Sequence, residues 1–181
     1  MKRLILLQLF ILTSLFALGQ EGLKSSQVKA NLLFLGASAS YEKSISRNIS
    51  LNFEAGLNYG FVYSYNSTFG GDFGYTLAPN LSAEARHYYN LDKRLRRGKS
   101  ITNNSGNFLS LALGYTFTPI AYDNAYNNPS AVLTPSWGMQ RGIGKRFSFE
   151  LLLGFSLRYD SRAEEGTGSP AIGAKIGYII Y

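Results

Sequence analysis

The chain has 181 residues, with 18 Lys and Arg against 11 Asp and Glu, one histidine and no cysteine. Without cysteine there is no disulfide framework and no thiol to carry a lipid anchor. A lone histidine leaves neither a thiolate nor a second imidazole for a structural zinc site. Charged residues make up only 16% of the chain while Tyr and Phe number 13 and 12, a balance that disfavours a highly solvated surface.

Met1-Lys2-Arg3 is a short cationic start, and Leu4 to Leu18 is apolar except for Gln8, Thr13 and Ser14. Ala17 and Gly19 then place small residues before Gln20, the n-region, h-region and cleavage pattern of a secretory leader. The run is shorter than the roughly 20 apolar residues of a spanning helix. Residues 1–19 are therefore expected to be a signal peptide and 20–181 a single mature domain. No later segment is apolar enough to cross a membrane as a helix, so a membrane protein of this composition must close its backbone as a barrel.

The mature sequence alternates with period two, the pattern of strands with unlike faces. In 51–63, Leu51, Phe53, Ala55, Leu57, Tyr59, Phe61 and Tyr63 oppose Asn52, Glu54, Gly56, Asn58 and Gly60. Residues 109–117 and 147–159 repeat the scheme, with Leu152 an exception. Eight segments follow, near 28–36, 37–45, 50–64, 76–90, 107–117, 131–141, 146–158 and 170–181. The first two are separated at Gly36 because bacterial membrane barrels have even strand numbers and both ends in the periplasm. Pro79 and Pro135 fall inside segments and are expected to mark bulges or strand ends. Residues 46–48 and 142–145 read as tight turns, and 65–75, 118–130 and 159–169 as longer outer loops. The connection 91–106, on the periplasmic side, is long and basic.

The polar face is mostly Gly, Ser, Asn, Ala and Thr, too small and too uncharged for the exterior of a soluble eight-stranded barrel. The other face is Leu, Phe and Tyr, as lipid contact demands. Aromatics gather at one set of strand ends (Tyr59, Phe61, Tyr63, Tyr115, Phe117, Tyr159), where a membrane girdle belongs. The fold class is thus all-β, an eight-stranded antiparallel transmembrane up-and-down barrel. Its charged strand residues, Lys29, Glu42, Glu54, Glu84, Arg86, Glu150, Arg158 and Lys175, share the lumen face. Four of each sign suggest an ion-paired plug in an interior just wide enough for side chains, with a conduit as the alternative.

Asn31-Leu32-Leu33, Tyr41-Glu42, Arg86-His87-Tyr88-Tyr89 and Ser105-Gly106-Asn107-Phe108 before a Leu-rich strand resemble stretches of small outer-membrane barrels of Gram-negative bacteria. These are the OmpA-like and OmpX-like group, and the likeness runs closest to a family of uncharacterised barrel proteins within it. The final strand, Ala174 to Tyr181, is similar to the assembly signal of such barrels, with its glycine one place from the usual position. The resemblance implies the fold, an outer-membrane location and the barrel-insertion machinery as a partner. It implies no catalytic residue and no cofactor.

His87 is flanked at two-residue spacing by Ala85 and Tyr89, with no serine on its face. It reads as an interfacial ring rather than part of a Ser–His–acid group. Lys93, Arg94, Arg96, Arg97 and Lys99 crowd one loop with Asp92 as the sole acid. They are either solvated surface or a patch for anionic headgroups or peptidoglycan, and the compartment makes nucleic acid an unsuitable partner. Function on this reading is a non-enzymatic structural or surface-interaction role in the envelope. The alternatives are a narrow conduit or a lipid-modifying enzyme.

Overall fold

The computed structural model describes residues 22–66, 70–125 and 127–181; the expected leader, 1–19, lies outside them. The described chain is all-β. Its strands are β1 (Ser26–Leu33), β2 (Gly36–Ser44), β3 (Ile49–Asn66), β4 (Gly70–Tyr88), β5 (Gly106–Thr116), β6 (Ala121–Asp123), β7 (Ser130–Ile143), β8 (Phe147–Asp160) and β9 (Glu165–Ile179). A six-residue helix, α1 (Leu91–Arg96), and a 3-10 turn at Thr102–Asn104 lie between β4 and β5. Among the described residues no helix is long and apolar enough to cross a membrane.

Every pairing is antiparallel, and the long strands follow one another as neighbours. The last returns to the first, with Lys29 opposite Ile179 and Leu33 opposite Lys175. The ring of pairings therefore closes on eight long strands, each with a neighbour on both sides. The division at Gly36 is real. Leu33 pairs with Gly36 across a turn of two residues, and Gly36 adopts φ +147°, where an added Cβ would stand 2.1 Å from the Leu57 carbonyl oxygen.

Three expectations need correction. Residues 65–75 are largely strand: β3 and β4 remain paired up to Asn66 opposite Gly70, and Phe61 stacks on Phe73 with ring centroids 5.6 Å apart. The 159–169 loop shrinks to 161–164 for the same reason, since Asp160 still pairs with Glu165. Glycine and asparagine suggested turns there, but a two-stranded ribbon tolerates them where no core must be filled. Pro135 marks neither a bulge nor an end, whereas Pro79 stands where the partner of β4 changes from β5 to β6 and the register shifts by two residues, from Asn80↔Thr116 to Leu77↔Ala121. The Pro79 carbonyl accepts the Phe117 N–H at 2.9 Å. Both backbone groups of a strand residue point the same way, so its missing donor faces the break between β5 and β6. At Pro135 the pairing with β8 lapses for two residues and resumes in unchanged register, from Leu133↔Leu157 to Ser136↔Gly154.

The two faces of the sheet are inverted relative to a water-soluble fold. Outward positions hold large apolar side chains, with Leu32 67%, Leu113 61% and Ile172 79% exposed. Inward positions hold Gln27, Lys29, Glu42, Ser50, Asn52, Glu84, Arg86, Gln140 and Glu150, all buried. The apolar core is small and sits at one end of the ring. Tyr88 and Phe108 point inward there, 5.0 Å between centroids, and Leu23, Leu91 and Ile101 cover them with Leu152 alongside. The Leu152 exception in the alternation is thus an inward apolar contact with this plug.

Candidate functional site

Strand pairing builds the interior cluster before any side chain is considered. Glu150 on β8 lies opposite Lys175 on β9 and Gln140 on β7. Glu84 lies opposite Asn52, and Arg86 opposite Ser50. Period-two spacing turns all of these inward, so charges from strands distant in sequence meet across the lumen.

Arg86 is the hub. Its Nη1 and Nη2 donate to the two carboxylate oxygens of Glu150 at 3.0 and 2.9 Å. Its Nε and Nη2 donate to Glu84 at 2.8 and 2.6 Å, and the guanidinium lies over the Phe108 ring, 4.7 Å from the centroid. Lys175 bridges Glu54 at 2.7 Å and Glu150 at 3.1 Å. Lys29 donates to Gln140 at 3.2 Å and stands 3.7 Å from Glu150. Glu42 accepts the hydroxyls of Ser50 at 2.7 Å and Tyr88 at 2.9 Å on one oxygen. Its other oxygen stands 3.8 Å from Lys29 and 4.0 Å from Arg86, within ion-pair range but beyond a hydrogen bond.

Seven of the eight lumen charges named from the sequence thus belong to one network. The eighth, Arg158, lines the lumen nearer the opposite end and bonds the Ser130 hydroxyl. The cluster also uses Gln140, Ser50 and Tyr88, which a search for charges alone passes over. Their inward parity was the available signal.

Above the cluster a cavity of about 590 Å³ runs toward the end formed by the 34–35, 117–129 and 161–164 connections. Glu54, Glu84, Glu150 and Lys175 form its floor, and Asn58, Ser82, Thr134, Ser136 and Ser156 line its wall. The other end is capped. Leu91 and Ile101 anchor the 91–106 connection on the plug, and Asn103 and Asn104 are buried. The Gln140 amide donates to the Asn103 carbonyl at 2.7 Å, and Ser105 accepts the Gly142 N–H at 2.8 Å.

Comparison with protein-family models, curated proteins and solved structures finds no match.

The basic segment is the outer surface of the cap. Lys93, Arg96, Arg97 and Lys99 are exposed and Arg94 is half-buried, while Asp92 is taken by Arg47 at 2.8 Å. Lys43, Arg47, Lys145 and Arg146 come to the same end from β2 and two short turns, and Asp92 is its one exposed acidic side chain among the described residues. The opposite end carries Asp72, Asp123, Asp160, Glu164 and Glu165 against Arg158 and Arg162. Charge is thus segregated along the axis. His87 points outward at the capped end and shares a 3.0 Å hydrogen bond with Asn48. Among the described residues no cluster of His, Cys, Asp or Glu is arranged to hold a metal ion.

Proposed function

We propose that the N-terminal leader exports this chain and that the mature part spans a Gram-negative outer membrane as an eight-stranded β-barrel with a non-enzymatic role in the cell envelope. The observation that carries the reading is the inversion of polarity. A closed ring with every long strand paired exposes Leu, Phe and Tyr outward and buries a connected set of ion pairs. Burial of apolar surface in water contributes roughly 25 cal/mol per Å², so an apolar exterior of this extent is stable where lipid replaces water. Lipid in turn requires that no backbone group be left unpaired, which a closed ring satisfies.

The role follows from which end is built up. The capped, basic end faces the periplasm with the start of β1 and the end of β9, and the opposite end presents the taller β3–β4 hairpin and the connection between β5 and β7 outward for surface contact. The last strand is the natural handle for the barrel-insertion machinery. The cavity favours a narrow conduit as a second reading, but the ion-paired floor and the cap stand across that path. Purified mature protein should migrate faster unboiled than boiled, show β circular dichroism in detergent, and give no steady conductance in planar bilayers. Identical mobility with no β signal would refute the barrel. Steady conductance would favour the conduit.

A further inference from the structure

The outward surface at the capped ends of β4, β5 and β7 carries two guanidinium groups that meet no carboxylate among the described residues. Arg141 on β7 donates to the Gly106 and Gln140 carbonyls and, at 2.6 Å, to the Asn107 amide oxygen. Arg94 on α1 donates twice to the Ser100 carbonyl, at 3.2 and 2.8 Å. Arg141 lies within electrostatic reach of Arg94 on one side and of Tyr89 on the other. The exposed acidic side chain of this end, Asp92, is engaged by Arg47. Neutral oxygens thus hold both forks in place without cancelling their charge.

Tyr89 completes the surface. Its hydroxyl accepts the Trp137 indole N–H at 2.8 Å and, more loosely, the Asn107 amide at 3.5 Å. A phenol that accepts has its own proton left to donate. Trp and Tyr side by side on an outward face occupy the membrane–water boundary, ring toward acyl chains and polar tip toward headgroups. Guanidinium forks match phosphate oxygens in geometry as well as charge. A lipid bearing a quaternary ammonium would bring that cation against Arg94 and Arg141, whereas an anionic lipid brings none.

We propose that Arg94, Arg141 and Tyr89 form a binding site for the phosphate of an anionic phospholipid in the leaflet at the capped end, with Trp137 packed against the lipid below it. The inference rests on the barrel reading above.

Native mass spectrometry of the mature protein in detergent, titrated with phosphatidylglycerol, phosphatidylcholine or chain-free glycerol phosphate, tests it. Phosphatidylglycerol should be retained at least tenfold over phosphatidylcholine, and glycerol phosphate should not be retained. Arg94→Gln with Arg141→Gln should remove the preference and Tyr89→Phe should weaken it severalfold. Arg96→Gln, Arg97→Gln and Lys99→Gln together should leave it within twofold. Arg94→Gln alone, on the cap rather than on a strand, repeats the test should the double variant fail to fold. An equal loss in the triple variant would mean diffuse attraction and overturn the site, as would tight retention of glycerol phosphate. Unboiled gel mobility separates the two failures. Folded protein without lipid preference ends this inference alone, while protein that never runs as a folded species in detergent ends the barrel reading with it.

Discussion

Arg86 shows what a single interior residue does. It is 1% exposed, and its charge is offset by Glu84 and Glu150 at hydrogen-bond distance. Removing one member of a buried pair leaves the others desolvated and uncompensated, at a cost of about 3–5 kcal/mol. Arg86→Met should lower stability by that amount in urea titration of the folded protein. Adding Glu84→Gln and Glu150→Gln should restore much of it, because no charge is then stranded. Gly138 is the steric counterpart. A Cβ there would stand 2.2 Å from the Phe108 ring, so Gly138→Ala forces the ring out of the plug and should cost about 1–3 kcal/mol. On the outer face, Leu153→Arg should cost about 2–4 kcal/mol in lipid vesicles if the position is near the midplane. The parity of Arg86 and Leu153 was legible in the sequence. The distant partners were not, because Glu150 and Gln140 reach Arg86 only after the ring closes.

At the scale of elements, sequence alternation served well where both faces were constrained and poorly where one was not. The segments 50–64 and 146–158 were recognisable because a lipid-like face and a packed lumen each restrict residue type. The upper β3–β4 hairpin has no such packed interior, so its Gly-rich composition looked like a loop although its backbone pairing continues to Asn66 and Gly70. The cap was the least legible element. Its cations dominated the sequence, but Leu91 and Ile101, unremarkable among them, fix it to the plug. Large-to-small changes at buried sites cost about 2–5 kcal/mol, and here the loss falls on the cap's attachment. Leu91→Ala with Ile101→Ala should therefore speed tryptic cleavage at Arg96 and Arg97 by tenfold or more while the unboiled band of the barrel survives. Loss of both together would show that the cap is integral to the ring.

The whole molecule is organised by two gradients, apolar outside to ionic inside and basic capped end to acidic open end. The first arises from period-two alternation and the second from which connections carry the charges. Under the proposed function, the two gradients orient the chain across a bilayer with its cap on the periplasmic side. The absence of native cysteine permits a direct measurement of the first gradient. Single cysteines at Leu113 and Leu153, outward, and at Ser82 and Ser156, lining the cavity, can each carry a small fluorophore in protein folded into vesicles with brominated acyl chains. Lipid bromine should quench the probes at 113 and 153 strongly and those at 82 and 156 little, while aqueous iodide should do the reverse. Iodide quenching at 113 and 153, with no effect of bromine, would place the apolar face in water and contradict the account.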